Sequence, residues 1–171
     1  MDYNVRSATI YDVDVIMRIY EEARAFMRLS GNSSQWTGGY PSEDLICDDI
    51  SRHQMYICEN EEGNAVGVFV LADGEDPTYR EIDGCWSDHE PYVTIHRMGG
   101  VSGSRGVADT VLRFALSRHE RVRADTHEDN IPMRRWLESR GFGYCGIIRV
   151  ADGSPRLAYA TKRHASVSEE P

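Results

Sequence analysis

The 171-residue sequence is short of cysteine, of positive charge and of long hydrophobic runs, and each shortage excludes a class of protein. Its four cysteines are widely spaced and form no Cys-x-x-Cys pair, so the pattern indicates neither a zinc knuckle nor a dithiol redox site. Cys85, His89 and His96 lack a fourth ligand and fit no standard spacing. We therefore predict that the chain has no metal site.

Hydrophobic runs long enough for a membrane span are also missing. The longest apolar stretch, residues 65–71, is interrupted by Gly67 and is far too short to cross a bilayer. Residues 1–4 lack the basic start and the apolar centre of a signal peptide. These features favour a cytoplasmic protein without a membrane partner.

The charge balance is acidic, with a formal net charge of -9. An acidic field disfavours nucleic acid and anionic lipid as broad partners, and it attracts a cationic substrate. An anionic ligand would need local positive charge, for which the candidates are Arg97, Arg105, Arg134 and Arg135. Ordinary solvated surface is the alternative role of these arginines.

Hydrophobic periodicity predicts one domain over residues 1–162, followed by a polar tail over residues 163–171 that we expect to be disordered. The predicted strands cover residues 5–10, 55–59, 65–71, 92–98, 122–126, 143–150 and 156–161. The predicted helices begin near Val13, Ser42, Val107 and Asn130. An irregular segment over residues 72–91 interrupts this alternation of strands and helices.

A glycine-rich segment joins the fourth predicted strand to the third helix, in the run Gly99-Gly100-Val101-Ser102-Gly103-Ser104-Arg105-Gly106-Val107-Ala108. Without a Cβ at Gly103 and Gly106, the backbone can turn sharply and approach a ligand closely. Free amides and the positive end of the helix dipole then make a seat for phosphate, to which Arg105 adds positive charge. A tight strand-to-helix connection is the alternative explanation of the same glycines.

The element order and two motifs resemble the GNAT superfamily of N-acetyltransferases over nearly the whole chain. The segment Arg105-Gly106-Val107-Ala108 resembles the end of the family's Arg/Gln-x-x-Gly-x-Gly/Ala signature. Residues 130–142, which read NIPMRRWLESRGF, resemble its Asn…Ala…Tyr-Glu-x-x-Gly-Phe signature. The segments Gln35-Trp36, Ile95-His96-Arg97 and Tyr144-Cys145-Gly146 are similar to those of a bacterial GNAT group without assigned substrates.

The resemblance implies an α/β (α+β) fold with a mixed, mostly antiparallel sheet of about six to seven strands flanked by about four helices. It implies that acetyl-CoA is the acetyl donor and binds in a cleft where the central strands splay apart. The expected contacts lie at the end of the fourth strand, in the glycine-rich segment and on the last helix: Met98, Gly100, Gly103, Ser104, Arg105, Gly106, Val107, Ala108, Asn130 and Arg135. A homodimer is a further expectation from the resemblance.

Two positions depart from the family pattern. Gly103 stands where the family often has Arg or Gln, so Arg105 would have to supply the missing phosphate contact. Leu137 stands where many members place a tyrosine general acid. The departing thiolate would then take its proton from water or from another side chain such as Tyr144, or it would leave unprotonated. A thiol pKa of about 8.5 makes a general acid useful but not obligatory.

His96, Asp125 and His127 are the candidates for handling the proton of an acceptor amine. A free histidine has a pKa of about 6.5, which suits His96 to the role of general base. A half-buried histidine that is hydrogen-bonded within the sheet is the alternative. Asp125 and His127 lie at the end of the next strand, where they could bind the amine, relay its proton or tie the turn before Asn130.

Trp36 and Tyr40 lie in the loop between the first two helices, which borders the acceptor pocket in the family. They either wall that pocket or pack in the core or at a dimer contact. The leading hypothesis is an N-acetyltransferase that acts by direct transfer on a primary amine of a small molecule or peptide. The alternatives are an acyl-CoA-binding module without catalysis and a nucleotide-binding or structural α/β domain, although the usual nucleotide-binding motifs are missing.

Overall fold

The alternation of strands and helices along the chain produces a single sheet with helices on both faces. The computed structural model describes residues 3–161. The strands are β1 (Asn4–Ser7), β2 (Met55–Glu59), β3 (Ala65–Asp73), β4 (Asp83–Gly84), β5 (Val93–Gly100), β6 (Val122–Thr126), β7 (Phe142–Arg149) and β8 (Pro155–Thr161). The helices are α1 (Val13–Leu29), α2 (Glu43–Ser51), α3 (Val107–Arg118) and α4 (Ile131–Ser139), with 3-10 turns at Ile10–Asp12 and Pro77–Tyr79. The predicted tail over residues 163–171 lies outside the described residues.

Alternating side chains of the central strands pack into two separate cores, one on each face of the sheet. In β3, Val68 and Val70 face the core that lies under α1 and α2, whereas Phe69 and Leu71 face the core under α3 and α4. The buried stripe of α1 packs into the first of these cores through Ile16, Ile19 and Tyr20, which lie three and four residues apart. Within residues 3–161, none of the helices is both long enough and apolar enough to cross a membrane.

Within residues 3–161 the sheet has eight strands, in the order β1-β2-β3-β5-β6-β8-β7-β4. All of its pairings are antiparallel except that of β5 with β6, which α3 connects as a crossover. These two strands pair only from Val93 with Val122 to Ile95 with Ala124, although β5 continues to Gly100 and β6 to Thr126. Beyond those pairs the strands diverge, and the β6 side of β5 has no partner strand among residues 3–161.

A β-bulge at Arg97 redirects β5 at the point of divergence. The register with β3 shifts between Val68 and Val70, and Arg97 takes a φ of 47°. The hydroxyl of Tyr20 donates a hydrogen bond to the Arg97 carbonyl at 2.7 Å, and the Arg97 guanidinium contacts Asp49 at 2.6 and 2.9 Å. The guanidinium of Arg97 is therefore bound to a buried carboxylate rather than held free for an anionic ligand.

Several strands differ from those that the sequence predicts. The strand predicted over residues 5–10 ends at Ser7, because Asp12 binds Arg6 and the Thr9 amide and turns residues 10–12 into a 3-10 helix. Residues 99–100, predicted as loop, continue β5 and pair with β3. The short strand β4, which raises the strand number above the predicted range, lies where Gly84 and Gly146 approach each other too closely for a Cβ.

Candidate active site

A cleft opens where β5 and β6 diverge, and two cavities lie along it. The first, of about 460 Å³, surrounds His96 and is called the histidine cavity below. The second, of about 420 Å³, lies against residues 99–108 and is called the glycine-loop cavity. The two cavities share four lining residues, Met27, Met98, Asn130 and Met133, so they adjoin each other.

The glycine-rich segment forms a tight turn between the end of β5 and the start of α3. Gly103 and Gly106 have φ values of +83° and +88°, which residues with a Cβ rarely adopt, and Gly106 is the N-cap of α3. The Ser104 hydroxyl donates to the Val101 carbonyl at 2.7 Å and braces the turn. Backbone amides and the positive end of α3 therefore border the glycine-loop cavity, an arrangement that suits a phosphate group.

Most of the predicted cofactor contacts line this cavity, and two do not. The residues that line it are Met98, Gly100, Gly103, Ser104, Gly106, Val107, Ala108 and Asn130. Arg105 and Arg135 are exposed, and neither is among the described residues that line either cavity. Arg105 contributes its backbone carbonyl to a hydrogen bond from Tyr3 at 2.9 Å, and its charge acts on the cavity only from a distance.

The side-chain carboxylate of Glu22, on α1, binds a backbone amide of the glycine-rich segment. The backbone amide of Ser102 donates a hydrogen bond to Glu22 at 3.0 Å. The Ser102 amide thus binds a negatively charged oxygen, although Glu22 occupies it in this structure. The other amides of the segment and the N-terminus of α3 suit the pyrophosphate of coenzyme A.

In the histidine cavity, His96 lies between two carboxylates. Its Nε2 is 2.6 Å from Asp76 Oδ2, and its Nδ1 is 3.8 Å from Asp125 Oδ2. The hydroxyl of Tyr79 donates a hydrogen bond to the same Asp125 oxygen at 2.8 Å. Because the short bond to Asp76 places the proton on Nε2, the acceptor nitrogen of a neutral His96 is Nδ1, which faces Asp125.

Asp76 comes from the irregular segment between β3 and β5, which folds back over the sheet. Its backbone amide donates to the Tyr92 hydroxyl at 3.0 Å, and its Oδ1 accepts from the Thr78 amide at 2.8 Å. Burial works to raise the pKa of Asp76, but hydrogen bonds from His96 and Thr78 outweigh it and lower the pKa to about 2. Asp76 is therefore a fixed negative charge beside the imidazole.

The loop between α1 and α2 forms part of the wall of the histidine cavity. Trp36 and Tyr40 both line this cavity, and the Trp36 ring packs edge-on against Tyr20 at 5.5 Å. The side-chain oxygen of Gln35 accepts from the Asn130 amide group at 3.0 Å and from the Asn32 amide group at 2.8 Å. Gln35 thereby ties the aromatic loop to the N-terminus of α4.

Besides Arg105 and Arg135, two further predicted residues line neither cavity. Tyr144 lies on β7 with 57% of its surface exposed, its ring packs against Tyr159, and it lines neither cavity. Its suggested role as general acid is therefore not supported by the geometry. His127 also lines neither cavity, and its Nδ1 accepts a hydrogen bond from the Asp129 amide at 3.1 Å, which matches the predicted turn-tying role.

Sequence reasoning missed four residues of the histidine cavity or its immediate support: Gln35, Asp76, Tyr79 and Arg156. Three of them lie in irregular segments or at a strand end, where no periodicity singles out a side chain. The one available signal was the Asp76-Pro77-Thr78 run, because an Asp before Pro often caps a short helix and holds the chain in one position.

Comparisons with solved structures identify the family. A crystal structure of a GNAT-family acetyltransferase from Streptococcus agalactiae is 33% identical, with a TM-score of 0.82, over 94% of this chain and 95% of that one. The chain belongs to the GNAT family of acetyltransferases. A GNAT-family acetyltransferase from Listeria monocytogenes has the same fold, at 18% identity and a TM-score of 0.71 over 94% of this chain and 95% of that one.

More distant GNAT-like structures share the fold alone. The NatC complex, solved with Gag peptide and CoA, matches at a TM-score of 0.58 and 13% identity over 96% of this chain and 100% of that one. No family model matches the chain, and no curated protein matches it. In this GNAT chain, Leu137 has no hydroxyl to act as an acid. Its side chain is fully buried in the core under α3 and α4.

Proposed function

We propose that this protein transfers the acetyl group of acetyl-CoA directly to a primary amine of a small molecule or peptide. The observation that carries the proposal is the adjacency of the two cavities, which share Met98 and Asn130 in their walls. It lets a ligand seated on the glycine-rich segment extend to the imidazole of His96. A donor and an acceptor can thus meet in one cleft, as direct transfer requires.

The residues that would hold acetyl-CoA are those that line the glycine-loop cavity. The amides around Gly103 and the N-terminus of α3 suit the pyrophosphate. The unpaired side of β5 beyond Ile95 suits the amide groups of the pantetheine arm, which can extend the sheet as a strand would. When bound, acetyl-CoA supplies the thioester whose carbonyl carbon an amine can attack.

His96 is proposed as the general base of the reaction. An amine attacks only when it is neutral, so one proton must leave the acceptor ammonium. Nδ1 of His96 can take that proton while Asp125, 3.8 Å away, stabilises the ammonium and then the imidazolium. Asp76 is a positioning residue, because its hydrogen bond to Nε2 fixes the ring and compensates its positive charge.

Backbone amides of β5 would stabilise the negative charge that develops on the thioester oxygen. When the carbon–sulfur bond breaks, the electron pair stays on the sulfur as a thiolate. Among residues 3–161, Leu137 occupies the position of the usual tyrosine acid and Tyr144 is remote, so water would return the proton to the thiolate. A thiol pKa of about 8.5 makes that step feasible without a protein acid.

An acyl-CoA-binding module without catalysis is the second candidate, because Leu137 and Gly103 replace two functional side chains of the family pattern. It predicts acetyl-CoA binding with no acceptor-dependent release of thiol. A binding module without catalysis would give no role to the Asp76 carboxylate, which holds His96 in the cavity. For that reason the enzyme is the stronger of the two proposals.

Titration calorimetry with acetyl-CoA, with ATP as the control ligand, tests the first half of the proposal. We expect saturable binding of acetyl-CoA that the Gly103→Ala substitution weakens by roughly 10-fold, because a Cβ disfavours φ of +83° and the loop must move. Gly63→Ala is the matched control, since Gly63 has a φ of +80° in the β2–β3 turn outside both cavities. Absence of acetyl-CoA binding would overturn both candidate functions.

Thiol release measured with a panel of amines tests the second half. Release that depends on an added amine and is lost in His96→Gln would support the enzyme. Binding of acetyl-CoA without amine-dependent release from any acceptor class would instead support the binding module.

A further inference from the structure

Arg156 of β8 is a buried cation in the wall of the histidine cavity. Its residue exposure is 8%, and it lines the cavity. Among residues 3–161, no carboxylate oxygen lies within the 4.0 Å of its guanidinium that would make an ion pair. Hydrogen bonds from Ser154 lower the pKa of Asp152, and the charge of Arg156 adds to that effect only at longer range. Buried guanidinium groups are normally paired, but within the described part of the chain this one has no counter-ion.

The hydrogen bonds of Arg156 leave part of the guanidinium available. Nη1 donates to Ser154 Oγ at 3.0 Å and to the Pro155 carbonyl at 2.8 Å, and Nη2 donates to the Gln35 carbonyl at 3.2 Å. A guanidinium has five N–H donors. The Nε hydrogen and the second Nη2 hydrogen therefore have no acceptor within the described part of the chain. Two donors on one planar group are what a bidentate carboxylate binds.

The sheet register places this cation near the carboxylates around His96. Asp125 pairs with Ala158 of β8, and Arg156 lies two residues before Ala158 on the same face of the sheet. Diagonal neighbours of this kind are about 7–8 Å apart. The cavity therefore has a negative region at Asp76 and Asp125 and a positive wall at Arg156 within the span of one small molecule.

We propose that the acceptor is a small amino acid, that is, an amine that carries its own carboxylate. Its ammonium lies between His96 and Asp125, and its carboxylate binds Arg156. This inference rests on the proposed acetyl transfer and deepens it. A simple amine or polyamine would leave the Arg156 charge buried without a partner, whereas a zwitterion neutralises both regions of the cavity.

Acetyl-CoA-dependent thiol release distinguishes these acceptors. The panel consists of α-, β- and γ-amino acids, each paired with its carboxamide, which keeps the amine and removes the negative charge. We expect kcat/KM for the best acid to exceed that for its amide by roughly 10- to 100-fold, the range of a hydrogen bond to a charged group. The Arg156→Gln variant should bring this ratio close to one by lowering the rate for the acid.

The acid-to-amide ratio separates recognition from a structural role. If Arg156 only held the Gln35 loop and the turn before β8, the substitution would lower both rates equally and keep the ratio. Arg149→Gln is the matched control, because Arg149 is exposed on β7, pairs with the same hairpin and lines neither cavity. We expect Arg149→Gln to preserve the ratio.

Titration calorimetry of the amino acids into the protein saturated with CoA, which has no acetyl group to transfer, provides a readout that does not depend on turnover. Saturable binding of an acid that Arg156→Gln abolishes supports the inference. Equal or faster acetylation of the amides overturns it and leaves the acetyltransferase proposal intact. If acetyl-CoA binds but no acid binds or reacts, the inference is also overturned, whereas loss of acetyl-CoA binding itself would show the failure of the proposed function.

Discussion

The carboxylate of Glu22 on α1 accepts a hydrogen bond from the backbone amide of Ser102, at 3.0 Å. The contact joins a helix on one face of the sheet to the glycine-rich segment, 80 residues further along the chain. In this position the carboxylate occupies a donor that a phosphate oxygen would use, and its charge repels phosphate. If acetyl-CoA binds as proposed, Glu22 must therefore leave Ser102, or share it with the pyrophosphate.

Glu22→Gln is expected to strengthen acetyl-CoA binding. The substitution removes the negative charge and weakens the competing hydrogen bond, and an exposed contact of this kind corresponds to roughly a 2- to 5-fold change in Kd. Titration calorimetry at low ionic strength measures the effect, which salt should reduce. Glu21→Gln, the exposed neighbour on α1, is the control for net charge. An equal gain in both variants would mean that overall charge, and not the Ser102 contact, limits binding.

His96→Gln is expected to lower kcat by roughly 100- to 10,000-fold, the usual contribution of a general base. Acetyl-CoA affinity should change little, because His96 does not line the glycine-loop cavity. Steady-state thiol release gives kcat, and calorimetry gives the affinity. A kcat within a few-fold of the wild-type value would exclude His96 as the base.

Asp76→Asn tests the positioning of His96. The amide keeps the shape of the carboxylate but loses the charge that stabilises a protonated imidazole, so we expect kcat to fall roughly 10- to 100-fold. The acidic limb of the pH–rate profile should also move to lower pH. Asp73→Asn, an exposed position at the end of β3, is the matched control. A lower rate with an unshifted profile would indicate a structural role for Asp76 alone.

Asp49→Ala is expected to destabilise the fold through the bulge of β5. Asp49 and Arg97 form a buried pair with side-chain exposures of 5% and 15%, so the substitution leaves a buried charge unpaired. The expected loss is about 3–5 kcal/mol of unfolding free energy in a urea titration. Asp48→Ala breaks only the exposed pair with Arg52 and should cost at most about 0.5 kcal/mol. Similar losses in the two variants would contradict the importance of the Arg97 pair.

The ion pair of Asp12 predicts a specific loss of stability in acid. Hydrogen bonds from Arg6 lower the pKa of Asp12 to about 2, against the opposing effect of burial. A depressed carboxyl pKa stabilises the folded state above about pH 4, and the gain disappears as the pH falls towards 2. We expect Asp12→Asn to lower the unfolding free energy by about 1–2 kcal/mol at pH 7 and by much less at pH 2. Asp14→Asn, at an exposed position in the first turn of α1, should show no such pH dependence.

Much of the fold was predictable because it depends on short-range pattern. The stripe of α1, the hairpin of β2 and β3, and the cap of α4 by Asn130 each rest on residues within a few positions of one another. The glycine-rich turn was predictable for the same reason, since Gly103 and Gly106 alone permit its dihedral angles. The resemblance to the family then predicted how these local elements combine into one sheet.

The bulge at Arg97 and the position of Asp76 were not predictable in this way. The bulge depends on Tyr20 and Asp49, which lie 77 and 48 residues away in sequence. Asp76 belongs to a segment without periodicity and reaches His96 only because Tyr92 and Thr78 hold it over the sheet. Tyr144 shows the converse, since its similarity to a family segment did not bring it to the cleft.

The sequence by itself determined the alternation of elements, the glycine-rich turn and the presence of His96 on a central strand. Hydrophobic period and backbone preference act over a few residues, so they can be read from the order of amino acids alone. The tertiary structure alone decided which carboxylates flank His96 and that Arg156, in the wall of the same cavity, has no carboxylate partner among residues 3–161. Those relationships depend on sheet register and on long-range contacts that only the packed chain brings within hydrogen-bond distance.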